Sequence, residues 1–428
     1  MKYFRSRAGQ SLVEVVIGLA IGAVLMGTAA FAVTTMLRTN LTSEKSQFAS
    51  SFAQALADNT RSYAAGNWDS IYGLTKSSST HYFLNASGTT FFTVQGEEGM
   101  LDGDVVDGLV GQWKFDEIET STSTTTYDAT GNGNHGTLTN GVVRATSSCR
   151  ISNCLSFDGV NDYVDGGTGT TLNVTSSLTL AAWVKPNTYV SGGTNTDRAS
   201  IIQKTGQYYL TINSTTGTFD VYLQSITTSH LSSSSSVPLS TLSHISITYD
   251  GANIKWYLNG LLNTSVVATG TISSDPRSVR IGGEPSFGRF ASSSIDDVRI
   301  YNRALSADEV KQLYNSGIYE RFFTVENVCR TTDASSTISG TVPCGSGAED
   351  ISTQWLTSRV QWTTGAGTSE VALPVIVARS RNEVFRQTDW SGGVANEGAV
   401  VNPTGKYASS TNASTTGGRI QIQNLSQQ

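Results

Sequence analysis

An uninterrupted apolar run near the N-terminus constrains this chain more than any other feature of its sequence. No charged residue occurs from Val15 to Leu37, a run of 23 residues. A transmembrane helix needs about 20 predominantly apolar residues, so this run is long enough to cross a bilayer. Residues 1–9 carry Lys2, Arg5 and Arg7 and no acid. By the positive-inside rule, this basic segment places the N-terminus in the cytoplasm.

A single acid, Glu14, stands directly before the apolar run. A carboxylate is costly in lipid and needs a partner, and a plain membrane anchor offers no reason for one. An ordinary secretory signal would have a shorter apolar core that ends in a small-residue cleavage site. The segment Ala29-Ala30-Phe31-Ala32 keeps that alternative open.

The order of basic leader, Gly9, polar Gln10, apolar pair and Glu14 resembles the class III signal of type IV prepilins. The resemblance implies that a membrane prepilin peptidase removes the leader, residues 1–9, by cleaving the Gly9–Gln10 bond. It also implies methylation of the new N-terminus, although Gln10 stands where the family most often has Phe. Glu14, fifth in the mature chain, would pair with the N-terminal amine of a neighbouring pilin subunit.

The same resemblance implies a location for the chain before and after assembly. We expect a single-pass protein of the bacterial inner or cytoplasmic membrane, with its N-terminus in the cytoplasm. After assembly it would belong to an extracellular pilus or to the cell surface.

Helical periodicity continues beyond the apolar run. The apolar residues of this second part recur at helical spacing: Leu41, Phe48, Phe52, Ala55 and Leu56. Gly66 and Asn67 mark the end of the pattern. We therefore predict a long helix over residues 10–62, with a membrane span at about 15–37 and a second half that needs a globular head to cover it.

From residue 67 the pattern changes to short strands. Across residues 109–317, turn signals recur every 8–15 residues, which indicates an all-β sandwich. Trp113, Phe115 and Trp183 have the inward phase of a sandwich core. The segment Ser306-Ala-Asp-Glu309 has the form of a capping box for a short helix over residues 307–314.

Several stretches in this segment resemble laminin-G-like, concanavalin A-like jelly-roll domains of bacterial surface proteins. They are Trp113-Lys-Phe-Asp-Glu117, Asp128–Gly136, Leu155–Val164, Leu180-Ala-Ala-Trp-Val184, Tyr249-Asp-Gly251, Trp256-Tyr-Leu-Asn-Gly260 and Ile295–Leu305. The resemblance implies a jelly roll over residues 109–317, for which carbohydrate binding is the usual expectation. It also implies a structural Ca²⁺ near the rim of the sandwich, as in many relatives.

Carboxylate and amide oxygens separated by glycines are suited to a hard cation such as Ca²⁺. The predicted ligands are Asp128, Asn132, Asn134 and Asp296. The alternative is a loop of Asx turns that holds no metal. In the alternating phase of its strand, Asp296 shares a face with Val298 and Ile300, so its carboxyl needs a partner.

Aromatic side chains in the same segment are possible surfaces for stacking a sugar. The predicted set is Tyr163, Trp256, Tyr257 and Phe287. Each of them could equally belong to the packing of the sandwich. A surface protein is the other class of ligand that we expect for this domain.

The chain after the sandwich resumes a pattern that precedes it. The strand-like segment Tyr319–Arg330 echoes Thr90–Val94, and both resemble the antiparallel head sheet of pilin-like proteins. We predict an α+β chain in which a β head, residues 67–108 and 318–380, is interrupted by the sandwich. Three serial domains are the alternative. A polar tail, residues 381–428, is expected to be extended or partly disordered.

The four cysteines fall into two close pairs, Cys149 with Cys154 and Cys329 with Cys344. The pairs indicate two local disulfides in an oxidising compartment. Free thiols or a metal site are weaker alternatives, since neither pair has the Cys-x-x-Cys spacing.

Composition excludes some functions. Charged residues make up 14% of the chain and its net charge is −6, so a nucleic-acid partner is not expected. Glu117 and Glu119 are the nearest acid pair, without the strand pattern of a glucanase, and we do not expect an enzyme. The sequence thus predicts a minor or tip pilus subunit with a lectin-like adhesive module. The alternatives are a pseudopilin whose module binds secreted cargo and, less favoured, a surface-anchored glycan hydrolase.

Overall fold

The computed structural model describes residues 12–88, 90–118, 124–189, 197–330, 338–341, 348–364, 367–379, 413–414 and 421–422. The chain divides into two compact units. The larger holds residues 1–60, 79–324 and 357–373, and the smaller holds residues 61–78, 325–356 and 374–428.

Helix α1 (Leu12–Gly66) confirms the predicted long N-terminal helix. Its 55 residues correspond to about 80 Å at 1.5 Å per residue. A short helix, α2 (Trp68–Tyr72), follows it, and α3 (Ala307–Asn315) follows the sandwich strands. The capping box of α3 is confirmed, because the Ser306 and Glu309 side chains each accept a hydrogen bond from the other residue's backbone N–H. Two 3₁₀ turns cover Thr170–Leu172 and Pro285–Phe287.

The head strands occur on both sides of the sandwich in the sequence. They are β1 (Ser77–Ser87), β2 (Thr90–Gln95), β3 (Glu98–Leu101), β22 (Ile318–Arg330), β23 (Ile338–Thr341), β24 (Ala348–Thr364) and β25 (Gly367–Ala378). In the larger unit the strand order is β2-β1-β22-β24-β25, and β3 also pairs with β22, with Arg321 opposite Glu98. In the smaller unit β23 pairs with the end of β22.

Two antiparallel sheets form the sandwich. Their strands are β4 Leu109–Trp113, β5 Thr125–Thr126, β6 Gly136–Thr139, β7 Val143–Ala145, β8 Cys154–Asp158, β9 Tyr163–Asp165, β10 Leu178–Pro186, β11 Arg198–Lys204, β12 Tyr208–Asn213, β13 Thr218–Leu223, β14 Leu231–Ser236, β15 Ser243–Tyr249, β16 Asn253–Leu258, β17 Leu261–Val267, β18 Val279–Ile281 and β21 Ser292–Tyr301. The first sheet has the order β17-β16-β15-β10-β21-β8-β7, with β4 also pairing with β21, and the second has the order β14-β13-β12-β11-β18-β9-β6-β5. Two short hairpins complete the described strands: β19 Gly283–Glu284 with β20 Arg289–Phe290, and β26 Ala413–Ser414 with β27 Gln421–Ile422.

The overall α+β class and the jelly-roll sandwich are therefore as predicted. The limits of the predicted domains stay predictions. Apart from β26 and β27, the predicted tail from residue 381 onward lies outside the described residues.

The sandwich core lies between the two sheets. Trp113 and Phe115 are fully buried in it, as their phase predicts. The prediction for Trp183 is wrong: its neighbours Ala182 and Val184 belong to the core, whereas Trp183 lies on the opposite face of β10. There its ring stacks on Tyr314 with 5.5 Å between the centroids.

The predicted phase of strand β21 is also wrong at one point. Ile295, Val298 and Ile300 all belong to the core, so the alternation slips between residues 295 and 298. The slip is a local irregularity at which Asp297 takes a left-handed φ of 43°. As a result Asp296 does not share the face of Val298 and Ile300.

One predicted disulfide is present, between Cys149 and Cys154 with 5.3 Å between the Cα atoms. Cys329 is disulfide-bonded. Cys344 lies outside the described residues.

Candidate functional site

The predicted processing site is only partly visible in the structure. Gly9 and Gln10 lie outside the described residues, and so does the side chain of Glu14, whose backbone belongs to helix α1. The roles of these three residues therefore stay predictions.

The first half of helix α1 exposes its apolar side chains. Leu25 is 63% exposed and Phe31 is 74% exposed. In the described part of the chain, α1 is the one helix that is long and apolar enough to cross a membrane. This surface needs a cover of lipid or of other apolar helices.

The second half of helix α1 is covered by the head. Ala49 and Ala53 are buried and pack beside Tyr319 and Trp362. The Ser358 hydroxyl donates a hydrogen bond of 2.8 Å to the carbonyl of Ala53. Small helix residues thus allow the head strands to approach the helix backbone closely.

The predicted calcium loop is held by its own hydrogen bonds. The Asp128 carboxylate accepts from the backbone N–H groups of Gln112, Thr130 and Asn134 at 3.0–3.1 Å. The side-chain amides of Asn132 and Asn134 both donate to the Val110 carbonyl at 3.0 Å. This is the Asx-turn arrangement that sequence analysis left as the alternative.

Asp296 has different neighbours from the loop. Its carboxylate accepts from the backbone N–H groups of Arg150, Ile151 and Asp297, and it shares no hydrogen-bond partner with Asp128. Burial, and then the charge of Asp297, raise the pKa of Asp296 well above its usual value. Calcium binding by these four residues therefore stays a prediction.

Two of the four predicted stacking residues are unsuitable. Trp256 is 0% exposed in the sandwich core and Tyr257 is 2% exposed, so neither ring can meet a sugar. Tyr163 is half-buried, with the guanidinium of Arg280 4.8 Å from its ring centroid. Phe287 is 37% exposed and is the suitable member of the set.

Phe287 belongs to an aromatic cluster on the outer face of the second sheet. We define the cluster as Tyr209, Tyr222, His230 and Phe287. Tyr209 and Tyr222 face each other across β12 and β13 with stacked rings 5.1 Å apart. Tyr209 also lies 6.4 Å from Phe287, and His230 lies 5.3 Å from Tyr222. Burial, and then the charges of Arg198 and Arg289, lower the pKa of His230 to about 4, so the ring is neutral at pH 7.

An ionic network fixes one side of this cluster. Arg289 donates two hydrogen bonds of 3.1 Å to the Asp197 carboxylate. Arg198 donates one of 3.0 Å to the buried Asp220. Arg289 is thereby held with its guanidinium 5.2 Å from the Phe287 ring centroid. The arrangement offers an aromatic surface beside fixed donors, which is how small polar ligands are commonly oriented.

The sequence did not predict Tyr209, Tyr222 or His230 as site residues. A signal for the two tyrosines exists: Tyr208 and Leu210 are core residues of β12, so Tyr209 must face outward. His230 follows β13 in a connecting segment, and no periodicity predicts its position.

Of the acid pair considered for hydrolysis, the structure describes Glu117. Glu117 is buried and forms an ion pair of 2.6 Å with Arg144. Its carboxylate also accepts from the backbone N–H of Tyr127 at 2.6 Å. Glu119 lies outside the described residues. Glu117 thus serves the packing of the sandwich.

Two more buried carboxyls lie where strand β3 meets the sandwich. Asp116 accepts a hydrogen bond of 2.6 Å from the Gly99 N–H, while its second oxygen has no partner within the described residues. Burial, and then Asp296, raise its pKa well above the usual value. Burial also acts to raise the pKa of Glu98, but the charges of Arg321 and Lys114 outweigh it and lower that pKa to about 2.

Comparison with known protein families agrees with two parts of the sequence. Residues 4–30 match the prokaryotic N-terminal methylation motif. Residues 158–311 match the concanavalin A-like lectin/glucanases superfamily. The chain carries a methylation motif and a concanavalin A-like domain. No curated protein matches this chain.

Among solved structures, the chain is similar to domain 4 of AbnA, a GH43 extracellular arabinanase from Geobacillus stearothermophilus, in complex with arabinotriose. That match has 18% identity and a TM-score of 0.38, and covers 48% of this chain and 98% of the other. The binding domain of Paraclostridial Mosquitocidal Protein 1 matches with 14% identity, a TM-score of 0.40, and coverage of 61% and 72%. A Trypanosoma rangeli sialidase mutant matches with 19% identity, a TM-score of 0.36, and coverage of 49% and 33%.

Proposed function

We propose that this chain is a pilin-like surface subunit whose sandwich binds carbohydrate and mediates adhesion. The methylation motif and the bare apolar half of α1 support assembly with other pilin subunits after cleavage by a prepilin peptidase. The concanavalin A-like domain supports a carbohydrate ligand. This combination delivers a binding module to the cell surface and requires no catalytic group.

The single observation that carries the carbohydrate part is the aromatic cluster. Phe287 is exposed, its orientation is fixed by Tyr209 and Arg289, and polar groups lie beside it. A sugar can place an apolar face of its ring on Phe287 while its hydroxyls meet the neighbouring polar side chains.

A glycan array with the purified full-length chain in detergent tests this site. We expect Phe287→Ala to weaken binding about tenfold, which corresponds to about 1.4 kcal/mol. The matched control is Leu239→Ala, since Leu239 is a similarly exposed apolar residue at 45%. Equal binding by the wild-type chain and Phe287→Ala would exclude the cluster as the site.

A role as a minor or tip pilus subunit, rather than as a pseudopilin that binds secreted cargo, is part of the proposal. Deletion of the gene should abolish adhesion and leave secretion intact. Immunogold labelling of the sandwich should decorate a pilus tip or the cell surface. Loss of secretion with normal adhesion would favour the pseudopilin.

Calcium binding at the loop Asp128–Gly136 remains a separate proposal. Carboxylate and amide oxygens there would become ligands only if Asp128 released backbone N–H groups that it now binds. Isothermal titration of the full-length chain with Ca²⁺ should show heat and thermal stabilisation. Neither effect would appear if the loop is only a set of Asx turns.

A further inference from the structure

The aromatic cluster is surrounded by guanidinium groups, and their pairing bears on which saccharides it can bind. The charges of Arg198 and Arg289 act on His230. Those of Arg277 and Arg289 act on Tyr209. A guanidinium with free donors is a common protein partner for the carboxylate of an acidic ligand. The choice between an acidic and a neutral saccharide therefore depends on whether these three groups are already paired.

Two of the guanidiniums are held by the same carboxylate. The Nε of Arg289 lies 3.1 Å from the Asp197 carboxylate. Arg198 contacts that carboxylate at 2.5 Å and also donates to the buried Asp220 at 3.0 Å. Both cations are thus neutralised within the fold.

Arg277 is paired in a similar way. Its Nε and Nη2 donate to the Asp275 carboxylate, each at 2.9 Å. An anionic ligand could bind to any of the three guanidiniums only by displacing or sharing its carboxylate partner. None of these three cations is therefore left free for an acidic saccharide.

In the ionic network beside Phe287, the side chain most exposed to solvent is an acceptor. The Asp197 side chain is 40% exposed, whereas those of Arg289 and Arg198 are 10% and 20% exposed. The Asp197 carboxylate accepts three hydrogen bonds from the two arginines. Since a carboxylate has about four acceptor positions, it can accept a further hydrogen bond, for which a sugar hydroxyl is a suitable donor.

An acidic saccharide is disfavoured by the same carboxylate. A ligand carboxylate on that side of Phe287 would meet the negative charge of Asp197 at close range, and like charges oppose binding. His230 does not compensate, because its ring is neutral at pH 7. A neutral saccharide meets no such repulsion, since its hydroxyls can donate to Asp197 while its ring lies on Phe287.

We propose that the aromatic cluster selects neutral saccharides and rejects acidic ones, with Asp197 as the residue that determines this specificity. Its carboxylate accepts a hydroxyl of the neutral ligand. It also holds Arg289 and Arg198, so that neither is free to bind an anion. This inference rests on the proposed carbohydrate-binding function and adds the class of ligand to it.

A glycan array of matched neutral and acidic oligosaccharides, probed with the full-length chain in detergent, tests the specificity. The pairs are lactose with sialyllactose, galactotriose with trigalacturonic acid, and cellotriose with cellotriuronic acid. Wherever the neutral member of a pair binds, we expect the acidic member to bind about tenfold more weakly or worse.

The variant Asp197→Asn should change the preference rather than only weaken binding. The amide keeps an oxygen for a sugar hydroxyl, but it removes the negative charge and leaves Arg289 without its ion pair. Binding of the acidic members should rise about tenfold, while that of the neutral members changes by less than about threefold. Asp250→Asn is the matched control, because Asp250 is a 35% exposed carboxylate that pairs with Lys255 on the first sheet. This control should keep the preference of the wild-type chain.

Two results would overturn the inference and leave the proposed function in place. One is equal binding of neutral and acidic members by the wild-type chain. The other is an Asp197→Asn chain that gains no binding to the acidic members. If no neutral member binds, or if Phe287→Ala binds like the wild-type chain, the proposed function itself fails and the inference falls with it.

Discussion

The first half of helix α1 and the β-sandwich differ in what they expose and what they bury. The helix exposes large apolar side chains, such as Leu25 and Phe31, at 63% and 74%. The sandwich buries charged ones: Arg144 is 8% exposed and Glu117 is 5% exposed. The helix surface therefore needs lipid or another helix to cover it, whereas the sandwich pairs Arg144 with Glu117 in its interior.

In the proposed function, the apolar half of α1 brings the protein to the membrane and the sandwich carries the binding site. Buried ion pairs are costly to break, because removal of one partner leaves an uncompensated charge in the interior. An apolar helix surface is costly to leave in water and costly to charge in lipid. The two regions should therefore respond to opposite kinds of substitution.

The largest effect on stability is expected for a substitution inside the sandwich. Arg144→Met leaves Glu117 buried without its ion-pair partner and should lower the free energy of unfolding by about 3–5 kcal/mol. Urea denaturation followed by tryptophan fluorescence measures the change. The control is Arg277→Met: Arg277 pairs with Asp275 while its side chain is 57% exposed, and its loss should cost about 0–1 kcal/mol. Equal losses in the two variants would show that burial of the pair does not matter.

A charge in the apolar half of α1 should have the next largest effect. Leu25→Lys should cost about 2.5–3.5 kcal/mol of membrane insertion and reduce the fraction of the chain that resists carbonate extraction. Ser51→Lys, at an exposed position in the second half of the same helix, should extract like the wild-type chain. If Leu25→Lys remained fully in the membrane, the exposed half would not be the membrane segment.

The smallest effects are expected for two buried carboxyls, Asp116 and Glu98, whose replacement should change stability at pH 7 in opposite directions. The pKa of Asp116 is raised in the folded chain, so protonated Asp116 stabilises the fold at low pH. This contribution to the free energy of unfolding is lost as the pH rises above about 4. Asp116→Asn should therefore raise the free energy of unfolding by about 1 kcal/mol at pH 7 and change it little at pH 4.

Glu98 provides the opposite case. Its pKa is lowered to about 2, so it stabilises the fold above its ordinary pKa, and that contribution is lost as the pH falls toward 2. Glu98→Gln should lower the melting temperature at pH 7, and the difference should shrink with acidification. Thermal melts of both variants from pH 3 to pH 8 check the two signs, and a shared sign would contradict the assignment.

The long helix, the sandwich and the capping box could be predicted from the sequence because each depends on local pattern. The apolar run before Leu37 sets the helix, and Ser306 with Glu309 sets the start of α3. The burial of Trp113 and Phe115 follows from strand alternation.

The error for Trp183 is one of phase alone, because Leu180, Ala182 and Val184 keep regular alternation in β10. The error for Asp296 occurred where alternation breaks. Near Asp297 the strand slips by one position, which moves Asp296 away from the face of Val298. The same irregularity shifts the register of β21 against β10 between Ala181 and Trp183. A pattern of period two cannot show such a slip, because the cause lies in the partner strand.

The candidate site was predictable only in part. Phe287 was named from the sequence, but its neighbours Tyr209 and Tyr222 come together across two strands, and Arg289 is fixed by Asp197.

The proposed delivery to the cell surface depends on processing of the apolar helix as a pilin-like N-terminus. Intact-mass and N-terminal peptide mass spectrometry of the chain isolated from the cell surface tests it directly. We expect a mature N-terminus at Gln10, with Glu14 as the fifth residue. A chain that retains Met1, or one cleaved near Ala32, would contradict it.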